Sequence, residues 1–135
     1  MARILSVSYD EELLYTRRLL LESRGYSVTS AFELKESLYW CKQGGFDLFI
    51  IGHSIPETHK QSLIESFRAS CRGTIISLIC GTEPEVKGAD YYIDANPEGV
   101  LNLVAAILST AKPRGAQSAT AQSQVSSQKV PRNRA

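Results

Sequence analysis

Residues 1–110 predict an α/β domain, a parallel sheet with helices packed against it, and three observations lead there. Short β-branched runs alternate with stretches of helical periodicity, the pattern of strands joined by helical crossovers. Phe46, Leu48, Phe49, Ile50 and Ile51 form a near-continuous apolar run, as expected of a central strand buried on both faces. The chain has 135 residues in all, which suits a single domain.

The elements follow in order. Residues 3–7 read as the first strand. Ser8 with Glu11 has capping-box spacing and opens a helix carrying Leu13 with Leu20 and Leu14 with Leu21, which Gly25 stops. Residues 27–29 form a short second strand. Ser30 with Glu33 repeats the capping-box spacing, and Leu34, Leu38 and Cys41 fall on one face of a second helix, ended by Gly44-Gly45. Phe46 leads into the third strand. Beyond Pro56, Thr58 with Gln61 gives a third capping box, Leu63, Ile64 and Phe67 form the apolar stripe of the third helix, and Gly73 marks its end.

Residues 74–79 and 91–93 read as the last two strands. Asn96 caps the final helix with Pro97 at its first position, and Val100, Leu103, Val104, Ile107 and Leu108 make its stripe, which predicts packing on the sheet. Only residues 80–90 connect the fourth and fifth strands, with Gly81, Pro84 and Gly88 among them. The expected connection is a loop or a single turn, the crossover helix being shortened or missing.

Composition separates a tail from this domain. Residues 1–110 hold all 14 acids and ten bases, a net of −4, whereas residues 111–135 hold five bases and no acid. The tail has no Leu, Ile, Met, Phe, Trp or Tyr, so it lacks the apolar surface that offsets ordering entropy and is expected to be disordered. Five charges without aromatics give only non-specific attraction to nucleic acid, and a solubilising extension is the competing reading. Cys41, Cys71 and Cys80 are odd in number and widely spaced, so neither a disulfide framework nor a zinc knuckle is written here. Residues 4–7 are far too short for a signal-peptide core or a membrane span of roughly 20 residues. A cytoplasmic protein with no membrane contact is expected.

With these landmarks the chain resembles the receiver domain of bacterial response regulators over about residues 3–108. Arg-Ile-Leu-Ser-Val resembles that family's first strand, and Arg24-Gly25-Tyr26-Ser27-Val28 its approach to the second. Asp47-Leu48-Phe49-Ile50-Ile51 followed by Ile55-Pro56 is similar to its third strand and loop, and Gly88-Ala89-Asp90-Tyr91-Tyr92-Ile93 to its run before strand five. The resemblance implies a flavodoxin-like three-layer sandwich with strand order 2-1-3-4-5. It also implies a site: an acidic pair holding magnesium, an aspartate accepting the phosphoryl group, and a hydroxyl and a lysine steadying its oxygens.

Aligned without gaps, the acidic pair falls on Ser8 and Tyr9, the acceptor on Gly52, the hydroxyl on Ile79, and the lysine on Ala95, or on Asn96 after a shift of one. Magnesium wants oxygen ligands anchored by carboxylates, and phosphoryl transfer needs a placed nucleophile and nearby cationic charge. A degenerate, pseudo-receiver site is therefore expected, with no cofactor, no metal and no enzymatic activity. Asp10 and Asp94 remain near the same strand ends.

Three features compete for attention. Gly52-His53-Ser54-Ile55-Pro56 approximates a nucleophile elbow, but its closing glycine is Pro56 and its only downstream histidine is His59, so a polar turn is expected. His53 adjoins the acceptor position at the carboxyl edge, where with Tyr9, Asp10 and Asp94 it would line a pocket that responds to pH near its reference value of about 6.5. A solvent-facing turn histidine is the alternative. Cys80 reads as a small buried apolar side chain, with redox sensing as its alternative.

Tyr15, Tyr39, Trp40, Tyr91 and Tyr92 include rings off the apolar stripes, and at least one of Tyr39 and Trp40 is expected to face outward. The expected function is that of a stand-alone receiver-like domain in two-component, phosphorelay-type signalling, acting by phosphorylation-independent binding to another signalling protein or to a second copy in a homodimer. No specific nucleic acid is expected. The alternative is a small-molecule or redox sensor using the carboxyl edge of the sheet.

Overall fold

The computed structural model describes residues 2–81 and 86–110. The predicted tail, residues 111–135, lies outside the described residues. The elements run β1 (Arg3–Val7), α1 (Glu11–Ser23), β2 (Ser27–Ala31), α2 (Leu34–Gln43), β3 (Leu48–Ile51), α3 (Glu57–Ser70), β4 (Thr74–Ile79), β5 (Tyr91–Asp94) and α4 (Pro97–Thr110). All pairings are parallel, in the order β2-β1-β3-β4-β5. The described residues divide into two units, the boundary falling between Leu101 and Asn102 within α4.

Strand alternation divides the first unit's apolar side chains between two faces. Leu5, Val7, Phe49, Ile51 and Ile75 share one core with Cys41 of α2 and Leu63, Ile64 and Phe67 of α3, and Phe49 stacks on Phe67 with centroids 4.8 Å apart. Ile4, Leu48, Ile50, Ile76 and Leu78 are buried outside that cluster, as are Leu14 and Leu21 of α1. The sheet thus has helices on both faces.

The strands match the predicted ones, with β2 running on to Ala31 and β5 to Asp94. The capping-box expectations fail at three helices. Asp10, not Ser8, caps α1, its Oδ1 accepting from the amides of Glu12 (3.0 Å) and Leu13 (3.2 Å). Ser30 lies within β2, in register with Ser6, while Glu33 occupies the cap of α2 without a side-chain bond. The N-cap of α3 is Pro56, which leaves Thr58 inside the first turn. Asn96 does cap α4, its Oδ1 accepting from the Gly99 amide at 3.1 Å.

The inward faces are also shifted. α2 buries Ser37 and Cys41, with Leu34 and Leu38 only partly buried, and the Ser37 hydroxyl donates to the Glu33 carbonyl at 2.7 Å. α1 buries Leu14 and Leu21, leaving Leu13 at the surface. α3 adds Lys60 to its stripe, three residues before Leu63 and 1% exposed.

Gly44 and Gly45 have φ of 74° and 83°, a conformation in which L side chains are strained, and this ends α2. Gly73 serves a different purpose: α3 has already stopped at Ser70, and a Cβ on Gly73 would lie 2.5 Å from the Asp47 carbonyl oxygen. The chain needs glycine there for backbone to pass backbone.

Two aspartates start strands by the same device. The Asp47 amide donates to the Arg3 carbonyl (2.8 Å), while its Oδ2 accepts from the Arg3 amide (2.9 Å). The Asp90 amide donates to the Ile75 carbonyl (2.8 Å), while its Oδ2 accepts from the Ile75 amide (2.7 Å). Each makes a ladder rung in which the carboxylate replaces a backbone carbonyl. Arg68, near the end of α3, joins the second device through Nη2, which donates to Asp90 Oδ2 and to the Gly88 carbonyl, each at 2.9 Å.

Among the described residues no helix lies between β4 and β5. Val86 enters the core, and the Tyr92 hydroxyl donates to its carbonyl at 2.7 Å while accepting from the Ala89 amide at 3.3 Å.

Candidate functional site at the carboxyl edge of the sheet

The sheet register places the candidate residues. Val7 pairs with Ile51, so the next residues, Ser8 and Gly52, emerge side by side at the carboxyl ends of β1 and β3. The Gly52 amide donates to the Val7 carbonyl at 2.8 Å, and the Ser8 amide to the Ala31 carbonyl at 3.3 Å, extending both ladders by one rung. Both residues are buried.

Their side chains compete for one space. A Cβ on Gly52 would sit 3.1 Å from Ser8 Cβ, 3.1 Å from Ser8 Oγ and 3.1 Å from the Val7 carbonyl oxygen. The Ser8 hydroxyl accepts from the Asp10 amide (3.1 Å) and donates to the Asp10 carbonyl (3.3 Å). It folds over its own turn and lies so close to position 52 that a Cβ there would require it to give by a few tenths of an ångström.

Tyr9 turns away from this spot. It packs against the core, and its hydroxyl meets His59 Nδ1 of α3 at 2.9 Å, with the two rings edge to face at 5.8 Å. Burial pushes the phenol above its ordinary value of 10.0, and the charge of Glu33 adds to the rise. The Asp10 carboxylate is drawn to the N-terminus of α1, where two amides hold it. Among the described residues no hydrogen bond or ion pair joins His53 to Tyr9, Asp10 or Asp94. Its Nδ1 is buried without a partner.

Ile79 and Ala95 are neighbours, the Ala95 amide donating to the Ile79 carbonyl at 3.2 Å. Neither offers a side-chain hydroxyl or ammonium. Asp94 is exposed at the end of β5. Ser54 is exposed in its turn, and His59 Nδ1 faces Tyr9. Cys80 is exposed, against the expectation of burial, because the chain leaves the sheet one residue earlier. Cys41 and Cys71 are the buried thiols.

These donors do not fit magnesium. Gly52 offers no side-chain oxygen, the Ser8 and Tyr9 hydroxyls are bonded to Asp10 and His59, and the Asp10 carboxylate caps α1. Among the described residues no group of three or more His, Cys, Asp or Glu side chains is placed to hold a metal ion. His59 and the burial of Lys60 were not anticipated. His59 is 50 residues from Tyr9, so only tertiary structure pairs them.

No protein-family model matches the chain, and no curated protein matches it. Solved structures do. A chemotaxis protein from Vibrio cholerae superimposes with a TM-score of 0.66 at 23% identity, covering 80% of this chain and 99% of that one. A CheY-like receiver domain from Methanospirillum hungatei gives 0.69 at 24% identity, covering 82% and 95%. A response regulator from Thermotoga maritima, solved in complex with Mg²⁺ and BeF, gives 0.67 at 22% identity, covering 80% and 100%. The fold of this chain is that of CheY-like receiver domains.

Proposed function

We propose that this chain is a receiver-type signalling domain of a two-component pathway, cytoplasmic and without catalytic activity, whose phosphoryl-accepting site has been filled in. One observation carries the proposal: the position facing the end of β1 is a glycine, and a side chain there would press against Ser8 at 3.1 Å. Signalling then rests on protein–protein contact alone. α1 is the surface assigned to a partner, since it exposes Leu13, Tyr15 and Leu19. Residues 1–110 make up this domain, and residues 111–135 are its basic extension.

The test is incubation with acetyl phosphate and Mg²⁺, followed by intact mass measurement and acid treatment. The expected result is no gain of mass, before or after acid treatment. An acyl phosphate adduct, labile in base, overturns the proposal. The variant Gly52→Asp serves as a second arm: it is expected to gain no phosphoryl group, because its Cβ meets Ser8 and no magnesium ligands surround it.

No membrane role is assigned. Among the described residues no helix is long and apolar enough to cross a membrane.

A further inference from the structure

In a parallel sheet every strand leaves from one rim and arrives at the other, while the helices return the chain. The first turns of the helices therefore share the carboxyl rim, and the last turns of α1, α2 and α3 share the amino rim. Charge is sorted between the two. At the amino rim stand Arg24 at the C-cap of α1, Lys42 in the last turn of α2, Arg72 just beyond α3 and Lys87 on the turn into β5, all exposed. Among the described residues no hydrogen bond or ion pair engages these four side chains. The turns that carry three of them adjoin. A Cβ on Gly44 would sit 3.2 Å from the Ser70 carbonyl oxygen, and Arg68 donates to the carbonyls of Gly73 (3.3 Å) and Gly88 (2.9 Å), so Lys42, Arg72 and Lys87 share one patch.

The carboxyl rim carries the opposite sign. Glu11 and Glu12 in the first turn of α1, Glu33 at the N-cap of α2, Glu57 at the start of α3, Asp94 at the end of β5 and Glu98 in the first turn of α4 are all exposed. None of these six carboxylates is bonded or paired among the described residues, and the exposed base beside them is Lys35. The acids near the amino rim are already answered: Glu22 pairs with Arg18 (3.2 Å), Asp90 with Arg68 (2.9 Å), and Asp47 accepts from the Arg3 amide (2.9 Å). Helix dipoles favour such sorting, but each helix end is worth only about half a charge, so both rims keep their sign. Opposite charges at opposite ends of one molecule are complementary between copies, not within one. We propose that copies of this chain associate head to tail, the basic amino rim of one receiving the acidic carboxyl rim of the next. The two surfaces differ, so the contact is heterologous, and every pair keeps one free rim of each kind. Association therefore runs past the dimer. It does not depend on whether the strand edge takes up phosphate.

The experiment is sedimentation velocity on the full chain over a concentration series to about 1 mM, the range in which weak contacts populate. It is run at about 0.01 M ionic strength, where the Debye length is about 30 Å, and at about 1 M, where it is about 3 Å. The weight-average mass is expected to rise with concentration beyond that of a dimer at low ionic strength, and to stay that of a monomer at high. Reversing the amino rim (Lys42→Glu, Arg72→Glu and Lys87→Glu together) or the carboxyl rim (Glu12→Lys with Glu57→Lys) is expected to raise the dissociation constant at least about tenfold. Mixing the two variants is the decisive arm. One keeps an intact carboxyl rim and the other an intact amino rim, so the mixture is expected to associate but to stop at the dimer. Circular dichroism checks the fold of each variant, and Lys42→Gln with Arg72→Gln replaces an amino-rim reversal that fails to fold, read in the same way. A monomer throughout at low ionic strength, association that persists at about 1 M salt, or a mixture that stays monomeric overturns the proposal. So does association unchanged by the amino-rim variant, which would assign the acidic rim to the five bases of residues 111–135.

Discussion

Gly52→Ala tests the crowding at the strand edge directly. The added carbon meets three atoms at 3.1 Å, each about 0.3 Å inside the 3.4 Å at which ordinary contact begins. Overpacking of this kind costs about 1–3 kcal/mol, and at about 2 kcal/mol a domain of this size loses roughly 8–15 °C in melting temperature. Two of the three contacts are with the Ser8 side chain and one with the Val7 carbonyl. Ser8→Gly removes the first two, so in that background Gly52→Ala should cost less by at least about 1 kcal/mol. Urea unfolding followed by the single tryptophan, Trp40, supplies the four free energies of the cycle. Ser8→Gly has a cost of its own through its bonds to Asp10, and the cycle subtracts it. Additivity of the two substitutions to within about 0.3–0.5 kcal/mol would refute the claim that Ser8 crowds position 52.

Three further outcomes are expected. Asp10→Ala removes both cap bonds of α1 and should lower stability by about 1 kcal/mol, with Asp10→Asn restoring most of it in thermal melts. A disulfide reagent such as DTNB should label Cys80 at once in the native protein, with Cys41 and Cys71 reacting only on unfolding. The alkaline limb of stability should carry two groups. Burial, with Cys71 beside it, pushes the Cys41 thiol up from 9.0 to about 12, and burial with Glu33 raises Tyr9 above 10.0. Both raised values favour the protonated form in the fold, so their contributions are full below the unfolded values and are lost as pH rises through the folded ones. Urea midpoints taken from pH 8.5 upward should therefore fall, and Tyr9→Phe should flatten the part of the fall that begins near pH 10.

The strands were legible because their apolar runs are short, β-branched and bounded by glycine or polar residues, and a parallel sheet buries them on both faces. The starts of α1, α2 and α3 were not, since the Ser/Thr-x-x-Glu/Gln spacing says nothing about where the backbone turns. Ser8 is still bonded to the β2 edge through its amide, Ser30 is inside a strand, and Thr58 is already helical behind Pro56. At the site, the adjacency of Ser8 and Gly52 follows from register and could be read from the chain. The direction of Tyr9 could not, because it depends on His59 arriving from α3. Lys60 was hidden by residue type: a lysine in the middle of a helix is read as solvated until neighbours on every side enclose it.

The rung that Asp47 makes with Arg3 lies at the opposite end of β3 from Gly52, yet it dictates what happens there. Its carboxylate is an anchor at the start of a strand only four residues long. A slip of one residue would forfeit that anchor and turn Phe49 and Ile51 out of their core. With the starting point fixed, counting five residues onward brings Gly52, and nothing else, abreast of Ser8. The silence of one rim of the sheet is thus written at the other, and an insertion or deletion within β3 would re-address the rim before any residue there had changed.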